Sequence, residues 1–262
     1  MDASRNVRER ELPRTRTGNE IAGSGDRVFL SAAWRNLVIL NYEVDPGILA
    51  PHVPAGVEID SFDRKAYVSL VGFQFLRTRL FGSLRIPGHA NFDEINLRFY
   101  VCRRVGDEIR RGVVFIKEIV PRRAIALAAR WVYGENYSCR PMRHLIQSDE
   151  SGVRAEYQFK TDGNWHRLHA QASGAAALPA ENSLAEFITE HYWGYTRRGP
   201  RSFEYHVAHP RWQVRNAAEF GFDGDARELY GSAFAGVLRR PPVSTFIAEG
   251  SDVEVFRGRA IG

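Results

Sequence analysis

Hydrophobic and polar positions divide the chain into a polar opening and a long series of strand-length apolar runs. Residues 1–26 are Arg-rich, carry few large apolar side chains and end at Gly23-Ser24-Gly25. So little apolar surface cannot offset the entropy of ordering, which predicts a flexible basic arm. From Val28 the pattern changes. Residues 34–44 are apolar on both alternating faces in their middle, as in a strand covered on both sides. Asp45-Pro46 then offers an N-cap and a proline at the first helical position, opening a short helix through Ala50 that Pro51 and Pro54 stop. Residues 65–75, 92–101 and 113–120 read as further strands, the last two joined through a turn at Gly106-Asp107-Glu108. Residues 123–133 are alanine-rich with helical spacing, which predicts a helix across one end of the sheet.

Beyond that helix, residues 156–159 and 165–172 form an expected hairpin around Thr161-Asp162-Gly163-Asn164. Ser183-Leu-Ala-Glu186 is a capping box, and the helix it opens is expected to carry Leu184, Ile188, His191 and Tyr195 on one face. Residues 203–209 and 253–257 return to strand. No repeat and no linker follows the arm, so residues 27–262 are expected to form a single, mainly β domain of α+β class with a few short helices.

At 262 residues with 44% hydrophobic and 12% aromatic side chains, the chain can bury a substantial core. The net charge of +5 comes from arginines interleaved with acids along the whole length. No zinc-finger, RNP or helix-turn-helix pattern accompanies them, so no nucleic-acid partner is expected. Two cysteines, Cys102 and Cys139, make no disulfide framework. No apolar run has the length of a membrane span and none follows the charged start, so the chain reads as cytoplasmic, with no membrane partner. A homo-oligomer stays open.

Chemistry concentrates on residues 92–101. Alternation sends Glu94, Asn96 and Arg98 to one face and Ile95, Leu97 and Phe99 to the other. Glu94 and Arg98 stand roughly 13 Å apart along an extended strand, too far for a direct ion pair. The polar face is either an ordinary solvent face or the inside of a barrel around a ligand. His166-x-x-His169 and His206-x-x-His209 suggest a metal, but a spacing of three on a strand sends the two histidines to opposite faces, so no metal is expected. No cofactor is expected either, because neither a Walker A sequence nor a Gly-x-Gly-x-x-Gly turn is present, and Gly-x-Ser-x-Gly is missing as well.

The residues around this strand resemble two related families. Arg35 opening a strand that leads to Tyr42 and Asp45, Glu94 two residues after Phe92, and the run from Arg123 to Trp131 followed by Gly134-Glu135-Asn136-Tyr137 resemble the pocket framework of acetoacetate decarboxylases. A fuller likeness is to the YqjF-like family of uncharacterised proteins. It is carried by Tyr67-Val-Ser-Leu-Val-Gly-Phe73, Asn91-Phe-Asp-Glu94-Ile-Asn-Leu-Arg98, Phe115-Ile-Lys-Glu118, His191-Tyr-Trp-Gly-Tyr-Thr196, His209-Pro-Arg-Trp212 and Ala248-Glu-Gly-Ser251. The resemblance implies an antiparallel β-barrel or paired-sheet fold and a small-molecule pocket. It also implies that the Schiff-base lysine of the decarboxylases is replaced by Asn136 and its neighbouring lysine by Tyr137. An imine needs an uncharged amine, which Asn136 cannot supply. The chain has only three lysines, Lys65, Lys117 and Lys160, and Lys117 is the remaining candidate if it faces the pocket.

The expectation is a binding protein for a small acidic or carbonyl compound. Arg35, Asn96, Arg98, Asn136 and Lys117 are the candidate ligand contacts, with Arg35 or Arg98 pairing a carboxylate. If the site turns a substrate over, Glu94 is the candidate general acid or base and Tyr137 a proton or hydrogen-bond donor, as in a lyase or hydro-lyase acting on a keto acid. The third reading is a structural or sensor domain without catalysis.

Overall fold

Strand-length runs that are apolar on both alternating faces dictate long strands with two faces to cover, and the architecture follows from covering both. The computed structural model describes residues 27–82, 84, 88, 90–121 and 136–261. Within these, β1 spans Val28–Val44, β2 Glu58–Ile59, β3 Ala66–Leu80, β4 Phe92–Val105, β5 Glu108–Val120 and β6 Tyr137–Cys139. They are followed by β7 Met142–Asp149, β8 Gly152–Thr161, β9 Asn164–Ser173, β10 Trp193–Arg198, β11 Arg201–Ala208, β12 Val214–Phe222, β13 Ser244–Phe256 and β14 Arg259–Ile261. The α-helices are short: α1 Pro46–Leu49, α2 Leu184–Thr189 and α3 Ala226–Leu238.

Seven of these strands close on themselves in the order β1, β3, β4, β5, β10, β11, β13, with β13 pairing back to β1. The fold class is the mainly β one expected, although the pairing is not wholly antiparallel: β5 runs parallel to β10 and to β6. The β5–β10 seam is tight. A Cβ on Gly112 would sit 2.4 Å from the Trp193 carbonyl oxygen, and across the neighbouring β10–β11 ladder one on Gly194 would sit 2.1 Å from the Tyr205 ring. Close backbone approach is what these two glycines permit.

A second antiparallel sheet, β7-β8-β9-β12, lies against the barrel and is joined to it by β12, which pairs with β9 along one half and β13 along the other. Val38 and Leu40 of β1, Leu70 of β3 and Leu97 and Phe99 of β4 pack outward onto Tyr157, Phe159 and Leu168 of this sheet and onto Leu229 and Phe234 of α3. The opposite faces of the same strands point into the barrel. This explains why β1, β3 and β4 are buried almost throughout.

Local signals held where they were short-range. Asp45 accepts from the Gly47 N–H and Pro46 begins α1, while Ser183 accepts from the Glu186 N–H at the start of α2. Asp162 and Gly163 both take positive φ in the two-residue turn between β8 and β9. The helix through Tyr195 is a correction. It ends at Thr189, where Thr189 turns its hydroxyl back to the Ala185 carbonyl, and Tyr195 belongs to β10. Among the described residues, β2, β6, β7, β12, β14 and α3 were not anticipated. The polar strand β12 shows little alternation, and in α3 the periodicity is interrupted at Gly231, whose φ is +87°. The expected arm over residues 1–26 and the expected helix over 123–133 lie outside the described residues.

Candidate functional site

The inward face of β4 borders a cavity of about 150 Å³ inside the barrel. Most of its wall is apolar and aromatic, with Trp34, Phe73, Phe75, Phe92 and Phe115 along one side and Trp193 and Trp212 on others. A space of this size suits a ligand of few heavy atoms, since a cavity of about 150 Å³ accommodates benzene. The polar side chains at the wall are few and distinct, the usual construction of a small-molecule site.

Glu94, Asn96 and Arg98 line the cavity together because they alternate on one strand. Asn96 Nδ2 donates to Glu94 Oε1 at 2.9 Å, which fixes the amide orientation and leaves Asn96 Oδ1 buried without a hydrogen-bond partner among the described residues. Arg98 is buried, and its Nε likewise has no partner among the described residues. Among the described residues no carboxylate lies within ion-pair distance of its guanidinium, whose nearest aromatic face is Tyr100 at 5.9 Å. A buried guanidinium without a counter-charge is costly, and this one stands at the wall of a cavity.

Opposite Asn96 across the β4–β5 ladder stands Glu118, and β6 sets Tyr137 beside Glu118; both line the cavity. The next wall carries two histidines that follow α2 and β11. His191 Nε2 donates to Asp60 Oδ2 at 3.2 Å, and Arg111 Nε approaches the same oxygen at 3.4 Å. That bond sets the tautomer, so the lone pair resides on Nδ1, which is buried without a partner among the described residues. Burial lowers the His191 pKa below the usual histidine value, against the opposing pull of Asp60. Burial also pushes the Asp60 carboxyl up, but the His191 hydrogen bond and charge and Arg111 leave it below the ordinary carboxylate value. His209 donates from Nδ1 to the Pro210 carbonyl at 2.9 Å and stacks on Trp212. Burial, with Arg98 and His206 adding repulsion, lowers its pKa to about 4. Both cavity histidines are therefore neutral at pH 7. Chemically, the site can hold an anion at Arg98, accept hydrogen bonds at Asn96 and His191, and exchange a proton at His191 or Glu94. Among the described residues, no group of three or more His, Cys, Asp or Glu side chains is placed to hold a metal ion.

Of the residues singled out from the sequence, Glu94, Asn96, Arg98 and Tyr137 line the cavity, and three others do not. Trp34 points in, so alternation turns Arg35 out, and the bulge at Asn36 (φ +56°) restores the inward direction only at Leu37. Arg35 instead pairs with Asp252 at 3.1 Å. Lys117 leaves β5 on the outer side, where it donates to the Leu229 carbonyl of α3 at 2.9 Å. Burial lowers its pKa there, aided by Arg140, but it does not face the cavity. Asn136 donates to the Ile116 carbonyl at 3.3 Å along the β5 edge. Residues 134 and 135 lie outside the described residues. His191, expected either in the core or at the pocket mouth, lines the cavity, whereas Tyr195 packs in the outer core and donates to the Arg110 carbonyl. Asp60 was not singled out, and Glu118 and His209 entered only within longer motifs, His209 also in a metal pair that was set aside. Asp60 meets His191 across 131 positions of sequence, a distance no local pattern reveals.

Among known proteins, the chain is 26% identical over 184 residues to the uncharacterized protein YqjF of Bacillus subtilis (strain 168), across 70% of this chain and 74% of that one. Acetoacetate decarboxylase from Legionella pneumophila shares the fold at 12% identity and a TM-score of 0.61, over 96% of this chain and 98% of that one. An acetoacetate decarboxylase-like enzyme from Sphingomonas wittichii RW1 does so at 14% identity and a TM-score of 0.63, over 89% and 93%. The enduracididine biosynthesis enzyme MppR, solved in complex with pyruvate, superposes with a TM-score of 0.60 at 14% identity, over 93% of each chain. At such identities the likeness speaks for the fold. The family model DUF2071, an uncharacterized conserved protein family, matches residues 31–252, and the chain belongs to that family.

Proposed function

We propose that the protein binds a short organic acid in the barrel cavity, with Arg98 facing the carboxylate. The observation that carries this reading is the buried Arg98 guanidinium with no carboxylate at ion-pair distance among the described residues, set into a mostly aromatic wall. A ligand carboxylate matches the planar fork of the guanidinium and supplies the missing counter-charge. The complex of the fold neighbour MppR with pyruvate supports the ligand class. The size of the cavity supports an acid of about benzene's bulk or less.

The test is thermal shift and calorimetry with a panel of short keto, hydroxy and unsubstituted acids. A ligand held at 100 times its Kd stabilises by about 2.7 kcal/mol, several degrees in Tm for a chain of this length. Binding by the wild type that is lost in Arg98→Leu is the expected result. Binding that survives Arg98→Leu unchanged sinks the reading.

One arrangement favours turnover as a second reading. His191, held by Asp60, and Glu94 both face the cavity, as a lyase working without an imine requires. Product detected by mass spectrometry after incubation with the binding acid, and its loss in Glu94→Gln or His191→Gln, distinguishes turnover from binding alone.

A further inference from the structure

We infer that the cavity selects a short hydroxy acid over the corresponding keto acid, with Asn96 Oδ1 accepting the ligand hydroxyl while Arg98 holds the carboxylate. This deepens the acid-binding reading and rests on it. Asn96 cannot rotate its amide to present a donor instead, because Nδ2 already donates to the Glu94 carboxylate and the flipped amide would set two oxygens against each other. What Asn96 offers to the cavity is therefore an acceptor, buried and without a protein partner. Residues 96 and 98 share a face roughly 7 Å apart along β4, so one small molecule spans both side chains.

A second acceptor flanks the cation on its other side. The His191 ring packs against Tyr100, two residues beyond Arg98, at 4.8 Å between centroids, and its Nδ1 is unpartnered. The guanidinium is thus bracketed along the strand by two acceptors. A hydroxyl donates to such an atom, whereas a keto oxygen only accepts and would leave it unpaired.

Apart from Arg98 Nε, whose guanidinium holds the carboxylate, the unpartnered donors at the cavity wall among the described residues are Trp34 Nε1 and the Thr78 hydroxyl, and both are far from Arg98, Thr78 being hydrogen-bonded through its N–H to Ala90, eight residues before Arg98. Trp34 is level with Phe75, which is level with Phe92, six residues from Arg98. At about 3.4 Å per residue that is roughly 20 Å along β4, beyond the reach of a small acid anchored at Arg98.

The test is isothermal titration of the wild type with lactate against pyruvate, repeated with 2-hydroxybutyrate against 2-ketobutyrate. The hydroxy acid of each pair should bind at least roughly tenfold more tightly, the effect of leaving one buried acceptor unpaired. In Asn96→Ala the preference should weaken, and with His191→Phe added it should collapse to within about twofold, with the keto acid still bound through Arg98. Keto acids binding as well as or better than hydroxy acids in the wild type, with affinity lost in Arg98→Leu, would overturn the hydroxy-acid assignment and leave acid binding standing. No binding of either acid overturns both. The wild-type comparison decides the matter even if Asn96→Ala does not fold.

Discussion

Two buried charged sites stand a few residues apart in this barrel and are built in opposite ways. Glu204 of β11 is fully buried and accepts from three arginines: Arg103 at 3.1 Å, Arg110 at 2.8 Å and Arg259 at 2.8 Å. Arg110 is further held by Glu108 at 3.0 Å and lies over the Trp193 ring at 4.5 Å. Arg98 of β4 is buried too, yet no carboxylate is within ion-pair distance among the described residues. The first cluster ties β4, β5, β11 and β14 together and leaves no charge for a ligand. The second leaves a cation facing a cavity. The same residue type acts as a structural clamp in one place and as a candidate anchor in the other, and the difference lies wholly in the partners provided.

The sharpest way to break the comparison is to remove Glu204. Glu204→Ala leaves Arg103 and Arg110 without their buried counter-charge and should cost about 3–5 kcal/mol in urea unfolding. The more exposed Arg259 regains water and softens the loss. A change below about 1 kcal/mol would show that the cluster is no clamp.

Next in size is the response to acid around the unpaired site. The His209 pKa of about 4 in the folded chain lies below the 6.5 of an exposed histidine, so the unfolded chain takes the proton first. The stabilisation is complete above pH 6.5 and is lost as pH falls from there through about 4, amounting to roughly 3 kcal/mol. Urea unfolding at pH 7, 6 and 5 should show the decline, and His209→Phe should flatten it. Arg98→Leu should flatten it partially, because burial is the larger cause and Arg98 repulsion the smaller one.

Arg98→Leu itself should separate stability from binding. Exchanging an uncompensated buried cation for an apolar side chain should change stability by less than about 1 kcal/mol, or raise it. Affinity for the acid should fall by about 2 kcal/mol, roughly thirtyfold, through loss of a charge-assisted bidentate contact. Loss of stability comparable to that of Glu204→Ala would mean that Arg98 is structural as well.

How much of this was legible in the sequence depends on the range of each interaction. The polar face of Glu94, Asn96 and Arg98 follows from period-two alternation, and the caps at Asp45 and Ser183 from contacts within three residues. Which side of the sheet encloses the cavity does not follow, because both faces of β4 are buried and only closure of β13 onto β1 decides it. The Asp60–His191 contact and the Glu204 cluster join residues 55 to 131 positions apart, beyond any local pattern. Lys117 and Arg35 show the limit most plainly. Each sits next to a cavity residue, Glu118 and Trp34, and one step along a strand sends a side chain to the other face.

Arg35 gives the smallest expected effect and a clean control. Its guanidinium and that of Arg77 share the exposed Asp252 carboxylate, at 3.1 and 2.8 Å, in a setting where water screens the pair. Arg35→Ala should therefore cost less than about 1 kcal/mol, and Arg77 keeps the partner occupied in its absence. Because alternation after the inward Trp34 keeps Arg35 outside the barrel, affinity for the acid should match the wild type within about twofold, against the roughly thirtyfold loss in Arg98→Leu. Titration of both variants side by side checks it. If Arg35→Ala lost binding and Arg98→Leu kept it, the carboxylate would have to sit outside the barrel, and the contrast between the clamp and the open cation would no longer describe where the ligand goes.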